Sequence, residues 1–484
     1  MSRSRKPTQI RQPPLRLRPE RMFTGYCKVA ILFGALGCAG CSVGPHYKAP
    51  QPEPVKYHDA DPQLVNEAPF EVRWWKQFDD PVLDSLMDKS LSANTSIRMA
   101  RARLAESRAV YDETKFDRYP TVAANASYSY AKEQIPPFFN DPVTVNTFRA
   151  GFDAAWEVDL FGRVRHGIAA ARSDNQAVEA DLHDVEVSVV AELARNYFEL
   201  RGAQWRLAVA IRSLQNQRDT LRLTQLRRDA GVGEEQDVAS AAARVAATEA
   251  TIPPLELESK RAQYRLAVLT GTRPGELSAD LSPRTYAPID KALPIGNAAD
   301  LLRRRPDVRA AERRVAAATE RQGVAVAQLF PEVSISSFVG FLAGRGSLFF
   351  TTRSFATTVS PTVSWSAFDL GRAKARVRGS SAATDQALAS YEDTVLRALE
   401  DTEFSFSNYH AQQQRLVKLN IQAQESKRAA DIARLRYREG VTDFLTLLDA
   451  ERTQLQAEDA VAESERDVYV AVIALYKALG GVPA

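Results

Sequence analysis

Two long runs of this sequence lack the residues that end helices. Residues 163–228 contain no proline and only two glycines, and residues 372–438 contain no proline and only one glycine. At 1.5 Å of rise per residue, each run would form a helix roughly 100 Å long. Helices of that length are not those of a compact domain.

The same landmarks occur twice along the chain. Tyr119-Pro120 matches Phe330-Pro331 at an offset of 211, and three further pairs match at an offset of 209. These pairs are Gly162 with Gly371, Gly231-Val232 with Gly440-Val441, and Gly271 with Gly480. Several different landmarks that recur at nearly the same offset indicate duplication, and the sequence therefore predicts an internal two-fold repeat.

Each half contains two candidate strands, near 121–131 and 145–157 in the first and near 332–341 and 355–367 in the second. Their apolar and polar residues alternate with period 2, which is typical of a strand with two different faces, although Phe338 breaks the pattern. One face is apolar with aromatic residues and the other carries small or charged ones. This pattern predicts strands of an outer-membrane β-barrel, the alternative being a soluble half-buried sheet.

Four strands are too few to close a barrel, and open sheet edges are not tolerated in lipid. Several copies of the chain are therefore expected to share one barrel, and two, three or four copies would all close it. The stretches 132–144 and 342–354 would be the outward loops.

The remaining sequence is predicted to be helical. Each half would have a leading helix, a long helix and a returning helix: a helix near 82–118, 163–228 and 234–270 in the first repeat (81–271), and a helix near 299–329, 372–438 and 443–479 in the second (299–484). Pro253-Pro254 would interrupt the first returning helix. Gly162 and Gly371 would supply backbone freedom where a strand ends and a long helix begins.

Residues 1–40 are predicted to be a signal peptide, with Met1 or Met22 as the start. A basic region precedes an apolar run, 29–40, that is too short for a permanent membrane helix. This segment holds eight of the 63 basic residues and one of the 60 acidic ones. The remainder therefore has 55 basic and 59 acidic residues, a balance of −4, which argues against a nucleic-acid partner.

Cys41 follows Ala39 and Gly40 in a pattern that resembles a bacterial lipobox, with Cys38 in place of the usual leucine. We expect Cys41 to carry a covalent lipid, such as palmitate, and to become the mature N-terminus; an ordinary cleaved signal is the alternative. The residue after this cysteine is Ser42 and not an aspartate, which favours an outer-membrane location for the lipoprotein. Residues 41–80 would then be a proline-containing tether.

No motif of enzymatic chemistry is present. The sequence lacks GxxxxGK[ST] and HExxH, and its five histidines have no metal-ligand spacing. We therefore expect no enzyme, no metal site and no cofactor apart from the lipid on Cys41. A structural coiled-coil lipoprotein without channel activity and a lipid-anchored enzyme are the competing classes.

Five stretches together resemble the TolC and OprM family of outer-membrane efflux ducts, in its lipoprotein, NodT-like branch. They are CSVGPHY at 41–47, WEVDLFGR at 156–163, LRRRPDVRAAE at 302–312, RYREGVTDFLTLLDAERTQL at 436–455 and LYKALGG at 475–481. The resemblance covers nearly all of 41–484. It implies an α+β membrane protein: a homotrimer with a 12-stranded outer-membrane β-barrel, four strands per chain, continued by a long periplasmic α-helical barrel with a mixed equatorial region that includes the linker 272–298.

The resemblance also implies the function and the partners. The chain would be the passive exit duct of a tripartite efflux pump, joined to a periplasmic adaptor protein and an inner-membrane transporter. Multidrug resistance is a typical role of such pumps. The cargo stays open among drugs, metals, solvents and plant compounds.

Particular residues take their expected roles from the same resemblance. Asp449 matches an aspartate of a constriction ring, Tyr437 a tyrosine of the gate network and Asp237 its acidic partner, while Arg452 lies on the same helix face as Asp449. An exposed Asp449–Arg452 pair without a gate role is the alternative reading. Thr442 stands where TolC has a gate arginine. The turns at Gly231-Val232 and Gly440-Val441 would contact the adaptor, or would be helix C-caps alone.

Overall fold

The computed structural model of this chain describes residues 42–50, 57–69, 71–135, 139–286, 289, 291–296 and 301–481. The predicted signal peptide and Cys41 lie outside the described residues, as do parts of the predicted tether and linker. The chain divides into two compact units. The strand unit comprises the described residues of 42–45, 116–167 and 322–378, and the helical unit comprises those of 46–115, 168–321 and 379–481.

The strand unit is built on one antiparallel four-stranded sheet. Its strands are β2 (Thr121–Ile135), β3 (Phe139–Val158), β5 (Glu332–Ala343) and β6 (Phe355–Ser364), in the order β2-β3-β5-β6. β2 and β6 are therefore the edges of this sheet within one chain. β1 (Val65–Asn66) and β4 (Leu293–Pro294) form a separate two-residue parallel pair in the helical unit.

The register of the sheet gathers the apolar residues on one face. Phe152 pairs with Val339 and Phe341 with Phe355, so cross-strand partners are apolar on both strands. Large side chains of this face are exposed to an unusual degree for a folded protein. They include Val122, Tyr128, Tyr130, Phe152, Trp156, Val339, Phe355, Val359, Val363 and Trp365.

Aromatic residues cluster at both ends of this apolar face. At the loop end, Phe148 contacts Tyr128 and Phe349, with ring centroids 4.8 and 5.9 Å apart. At the end where the helices begin, the indole nitrogens of Trp156 and Trp365 donate hydrogen bonds to the carbonyl oxygens of Arg118 (3.0 Å) and Leu329 (3.1 Å). We call these groups the loop-end and the junction-end aromatic belts.

Phe338 interrupts the alternation because it covers two glycines on the opposite, polar face. Gly151 and Gly340 are directly paired, and a methyl group on either would lie within 3 Å of the Phe338 ring. The ring is only 9% exposed, and the Arg149 guanidinium carbon lies 4.2 Å from its centroid. The aromatic ring thus fills the space that two side chains would occupy.

The helices carry the rest of the chain. Trp74–Phe78 forms a short 3₁₀ helix. Within the described ranges the α-helices are α1 (Pro81–Ala93), α2 (Thr95–Phe116), α3 (Arg163–Asp229), α4 (Glu235–Glu249), α5 (Ile252–Leu269), α6 (Leu301–Arg304), α7 (Pro306–Ala327), α8 (Leu370–Arg438) and α9 (Phe444–Ala478).

The helix predicted near 82–118 is divided in two, and the first returning helix is interrupted next to Pro253-Pro254 as predicted. Asn94 separates α1 from α2, and its side-chain oxygen accepts hydrogen bonds from the backbone nitrogens of Ser96 (2.8 Å) and Ile97 (3.2 Å) as an N-cap. Ala250 and Thr251 separate α4 from α5. Pro253 follows in the first turn of α5, where its missing N–H costs no helical hydrogen bond.

The last carbonyls of α5 and α9 are bound by side chains in matching places. The Asn94 amide donates to the Leu269 oxygen at 2.8 Å, and the Arg305 guanidinium donates to the Ala478 oxygen at 2.8 Å. Leu269 and Ala478 are 209 residues apart, the spacing found between the sequence landmarks. Each contact satisfies an acceptor that a helix end leaves without a partner.

The core of the helical unit is rich in aromatic rings. Trp74 stacks on Tyr476 with centroids 5.3 Å apart, and Phe198 stacks on Tyr469 at 4.4 Å. Asp80, which is 3% exposed, caps α1 beside this core and accepts hydrogen bonds from the hydroxyls of Tyr197 and Tyr286. In the described part of the chain, every helix falls short of the combined length and hydropathy of a membrane span.

Candidate functional site

The turns after the two long helices have the same geometry. Gly231 and Gly440 both have φ of +74°, a left-handed conformation that favours glycine. Val232 N donates to Arg227 O and Val441 N donates to Arg436 O, at 3.0 and 2.8 Å, as in a Schellman motif. The side chains of Val232 and Val441 are 66% and 63% exposed. Each turn therefore presents an apolar side chain beside a glycine.

Tyr437 lies in a small buried cluster next to the second of these turns. Its ring is 3% exposed and packs against Phe444, with centroids 5.7 Å apart. Its hydroxyl lies 3.3 Å from the Thr224 hydroxyl of α3. Arg227, also on α3, donates to the Tyr437 carbonyl oxygen at 2.7 Å and lies over the ring at 4.7 Å. Tyr437 thus connects the end of α8 to the end of α3.

Asp449 and Arg452 form an ion pair on the surface of α9. Their side chains are 65% and 55% exposed, so within one chain the pair is in water. Asp449 also lines an open groove between α8 and α9 that includes Thr442 and Arg436. Among the described residues, no hydrogen bond or ion pair joins Asp237, in the first turn of α4, to Tyr437 or to the Asp449–Arg452 pair.

A buried carboxylate nearby was not singled out from the sequence. Glu451 is 5% exposed, accepts a hydrogen bond from Thr220 at 3.0 Å and pairs with Arg434 at 3.1 Å. Burial raises the pKa of Glu451, and Arg434 and the Thr220 hydroxyl oppose that rise. Glu451 therefore ties α9 to α3 and to α8.

The sequence did contain a signal for this burial. Phe444, Leu447 and Glu451 follow one another at spacings of three and four, so Glu451 continues the apolar stripe of α9. A charged residue within such a stripe predicts a buried ion pair. Arg244 of α4 lies close enough to Glu451 for its positive charge to oppose the rise in the pKa of Glu451. The Arg244 Nε is buried without a hydrogen-bond partner among the described residues.

The strand-to-helix junctions differ in their use of glycine. Gly162 has φ of +90°, as a tight strand-to-helix turn requires. Two ion pairs span this junction: Arg163 Nε lies 2.7 Å from Glu157, and Arg165 Nε lies 3.0 Å from Asp159.

Gly371 does not have this role. It lies in the first turn of α8, its φ is not positive, and a methyl group there would meet no atom within 4 Å among the described residues. The expectation that Gly371 supplies special backbone freedom is wrong, since α8 begins one residue earlier, at Leu370, and continues through it.

Across the described ranges, no group of three or more His, Cys, Asp or Glu side chains could hold a metal ion. What the described sites offer is an exposed charge pair, a buried interhelical ion pair, two glycine turns and an apolar sheet face with aromatic belts.

Known proteins resemble this chain over most of its length. The family model described as Outer membrane efflux protein matches residues 86–272 and 298–481. The solved structure of the outer-membrane channel OprN is similar with a TM-score of 0.89 and 50% identity, covering 91% of this chain and 99% of that one.

Two relatives give the same picture. The cation efflux system protein CusC of Escherichia coli O157:H7 is 27% identical over 465 residues, which cover 94% of this chain and 98% of CusC. The outer membrane protein OprJ of Pseudomonas aeruginosa is 28% identical over 458 residues, covering 94% of this chain and 95% of OprJ.

Proposed function

Because the chain belongs to the outer membrane efflux protein family, and is an exit duct for efflux at the outer membrane, we propose that three copies of it close one 12-stranded β-barrel. The barrel is continued through the periplasm by an α-helical barrel with a mixed equatorial region. The two matches to the family model support an internal two-fold repeat as the building unit.

The sheet of the strand unit carries this proposal. Its apolar face is exposed, and its edge strands β2 and β6 have no strand beyond them within the described chain. Unpaired N–H and C=O groups at those edges would cost several kcal/mol each in lipid. The edges can be satisfied if β6 of one copy pairs with β2 of the next, and three copies of four strands make twelve.

The spacing of the two aromatic belts supports a membrane-spanning sheet. Phe148 of the loop-end belt and Trp156 of the junction-end belt are eight residues apart on β3. At about 3.3 Å per residue they are about 26 Å apart. The apolar band of outer-membrane barrels is about 25 Å tall and is flanked by aromatic girdles. The polar face, with Arg149 and Asp153, would line the water-filled interior.

We assign the resting gate to the end of the helical barrel near Asp449. Three Asp449 carboxylates around one axis would repel each other and would favour cations, with Arg452 compensating part of the charge. Tyr437 and Asp237 would hold the neighbouring helices in the closed position. Tyr437 fits this role because it is buried between the ends of α3 and α8.

The glycine turns fit the contact with a periplasmic adaptor protein. Gly231 with Val232 and Gly440 with Val441 present exposed apolar side chains on rigid turns, which a partner surface could bury. The adaptor would connect the duct to an inner-membrane transporter, which would select the cargo and supply the energy. The duct itself would conduct small molecules passively.

A lipid on Cys41 would anchor the same chain to the outer membrane. The protein would then be held in the membrane in two ways. The closed barrel leaves no unpaired strand edge in the lipid, and the acyl chains add apolar area that the membrane buries. The duct would span the outer membrane and extend into the periplasm.

Conductance of the purified, lipidated protein in a planar bilayer tests the duct and its gate together. We expect a small wild-type current and a several-fold larger current for Asp449→Ala. The matched control is Asp393→Ala, because Asp393 forms a similarly exposed pair with Arg397 on α8. The control should conduct like the wild type.

The outcomes separate the claims. A current that Asp449→Ala leaves unchanged would keep the duct and discard the gate assignment. No current from inserted oligomers of any variant would overturn the duct and favour a structural envelope lipoprotein.

A further inference from the structure

We propose that Gly162, His166 and Gly323 form a binding seat for residues 42–44, which directly follow the expected mature N-terminus at Cys41, and that this seat fixes the point of lipid attachment at the junction-end aromatic belt. The proposal rests on the lipid proposed for Cys41. It goes further because the N-terminal segment is then a bound part of the fold at its first residues and not a free tether.

Hydrogen bonds hold Ser42 and Val43 in place. The Ser42 hydroxyl lies 2.8 Å from His166 Nε2, and the same nitrogen lies 3.2 Å from the Val43 carbonyl oxygen. The backbone nitrogen of Val43 donates to the Phe161 carbonyl oxygen at 3.2 Å. His166 is 4% exposed, so its ring is a fixed wall of the seat. These polar contacts come from both sides of the junction glycine, Gly162.

Glycines make room for the segment. A methyl group on Gly162 would lie 2.5 Å from the Ser42 hydroxyl oxygen. One on Gly323 would lie 2.6 Å from the His166 ring, and one on Gly44 would lie 2.9 Å from the Gly323 Cα. Gly44 also has φ of +124°, a backbone conformation that residues other than glycine rarely adopt. Three separate stretches of chain therefore approach each other as closely as only glycine permits.

Gly323 is the most informative of these residues. It lies within α7 and its φ is not positive, so a helix alone would favour alanine at this position. A glycine in a helix interior costs stability relative to alanine, because glycine loses more backbone freedom on folding. The close approach of Gly44 and His166 explains why that cost is tolerated here.

The seat lies where a lipid could enter the membrane. Ser42 directly follows the lipid-bearing cysteine, so the lipid is attached one residue from the seat. Gly162 comes four residues after the end of β3, and the adjacent Phe161 stacks on Phe330 with centroids 4.8 Å apart. Aromatic residues at this end of the sheet mark the level of the membrane interface. Binding of Ser42 therefore delivers the acyl chains at that level.

The described residues form no such seat at the junction of β6 and α8. A methyl group on Gly371 would meet no atom within 4 Å in the described chain. A chain has one N-terminus but two junctions, so only one junction needs to bind it.

Hydrogen exchange of the full-length protein in detergent tests the seat. The Val43 amide, followed in the N-terminal peptide, is expected to exchange at least tenfold faster in Gly323→Ala than in the wild type. The matched control is Gly379→Ala, the same change within α8 at a position with open space. The control should leave Val43 exchange unchanged.

A second variant guards against misfolding of the first. His166→Ala removes the hydrogen-bonding ring without adding atoms, and it should accelerate Val43 exchange to a similar extent. A chain with Cys41→Ala behind a cleavable export signal should keep the slow exchange, because the seat and not the lipid binds the segment.

Either of two results would overturn the proposal. One is Val43 exchange that is equally fast in the wild type and the seat variants; the other is slow exchange that neither seat variant changes. Bilayer conductance of the same preparations distinguishes this failure from failure of the duct, since both seat variants are expected to conduct once inserted.

Discussion

At the junction of β3 and α3, Gly162 has φ of +90° and Ser42 lies against it, whereas at the junction of β6 and α8, Gly371 lies in ordinary helix and faces open space. The two glycines stand 209 residues apart in matching motifs. The difference shows that a shared motif does not fix a shared role. After duplication, both copies can keep the same residue although only one copy makes the contact that requires it.

The two helix-ending turns, unlike the two junctions, share their backbone conformation and differ in a neighbouring side chain. Gly231 and Gly440 have the same φ and the same capping hydrogen bonds. What differs is the residue three positions before each glycine. Arg228 in the first turn is a half-buried member of an ion-pair group, whereas Tyr437 in the second is buried. Backbone geometry is therefore common to both turns, and the buried contact belongs to one.

Truncation of Tyr437 should have the largest effect on this comparison. Tyr437→Ala removes a buried aromatic ring and the platform under Arg227, which costs about 3–5 kcal/mol in typical cores. We expect a clear drop in the thermal midpoint followed by circular dichroism in detergent. Arg228→Ala should leave the midpoint unchanged. Equal midpoints for the two variants would contradict the asymmetry of the turns.

Alanine at the two junction glycines should separate them next. Gly162→Ala forces a side chain into a left-handed conformation against Ser42, at a cost of about 1–3 kcal/mol. Gly371→Ala should be neutral or stabilising by up to about 1 kcal/mol, since alanine is the better helix former. The same thermal unfolding measurement decides, and destabilisation by Gly371→Ala would show that its neighbours in the assembled duct need a glycine.

The smallest expected effect is on the pH dependence of stability. The contributions of two buried carboxylates of the helical unit to folding stability should change with pH in opposite directions. Burial would raise the pKa of Asp80, but hydrogen bonds from Tyr197, Tyr286 and the backbone lower it below its usual value of 3.8. Its contribution to stability is present above pH 3.8 and is lost as the pH falls through the folded-state pKa.

Glu451 has a pKa raised above 4.5 by burial. Its contribution is full below pH 4.5 and is lost as the pH rises through the folded-state pKa. Thermal midpoints of wild type, Asp80→Asn and Glu451→Gln from pH 3 to 7 test both signs. Relative to wild type, Asp80→Asn should be least harmful at the acid end and Glu451→Gln most harmful there. The same slope for both variants would contradict the assignment.

The sequence was most informative where local rules decide the structure. Period-2 alternation predicts strands because successive side chains point to opposite faces, and glycine predicts the turns at Gly231 and Gly440 because few residues adopt positive φ. The resemblance to outer-membrane efflux ducts is confirmed by the family match.

The remaining features depend on residues that are distant in sequence. Ser42 meets His166 across 124 positions, and Phe338 covers a glycine from another strand. The break in alternation at Phe338 is visible in the sequence, but the partners of Ser42 and of the Phe338 ring are not. Two other misses did have local signals: Asn94 is a helix N-cap residue, and Glu451 lies in the apolar stripe of α9. The gate assignment depends on copies that meet around an axis, and it stays a prediction.

The number of copies in one duct tests the shared barrel most directly, because the described part of one chain holds a four-stranded sheet with two unpaired edges. Native mass spectrometry of the full-length, lipidated protein released from detergent micelles measures that number. We expect a complex of three copies as the conducting form. A single copy that inserts into bilayers and conducts would contradict this expectation.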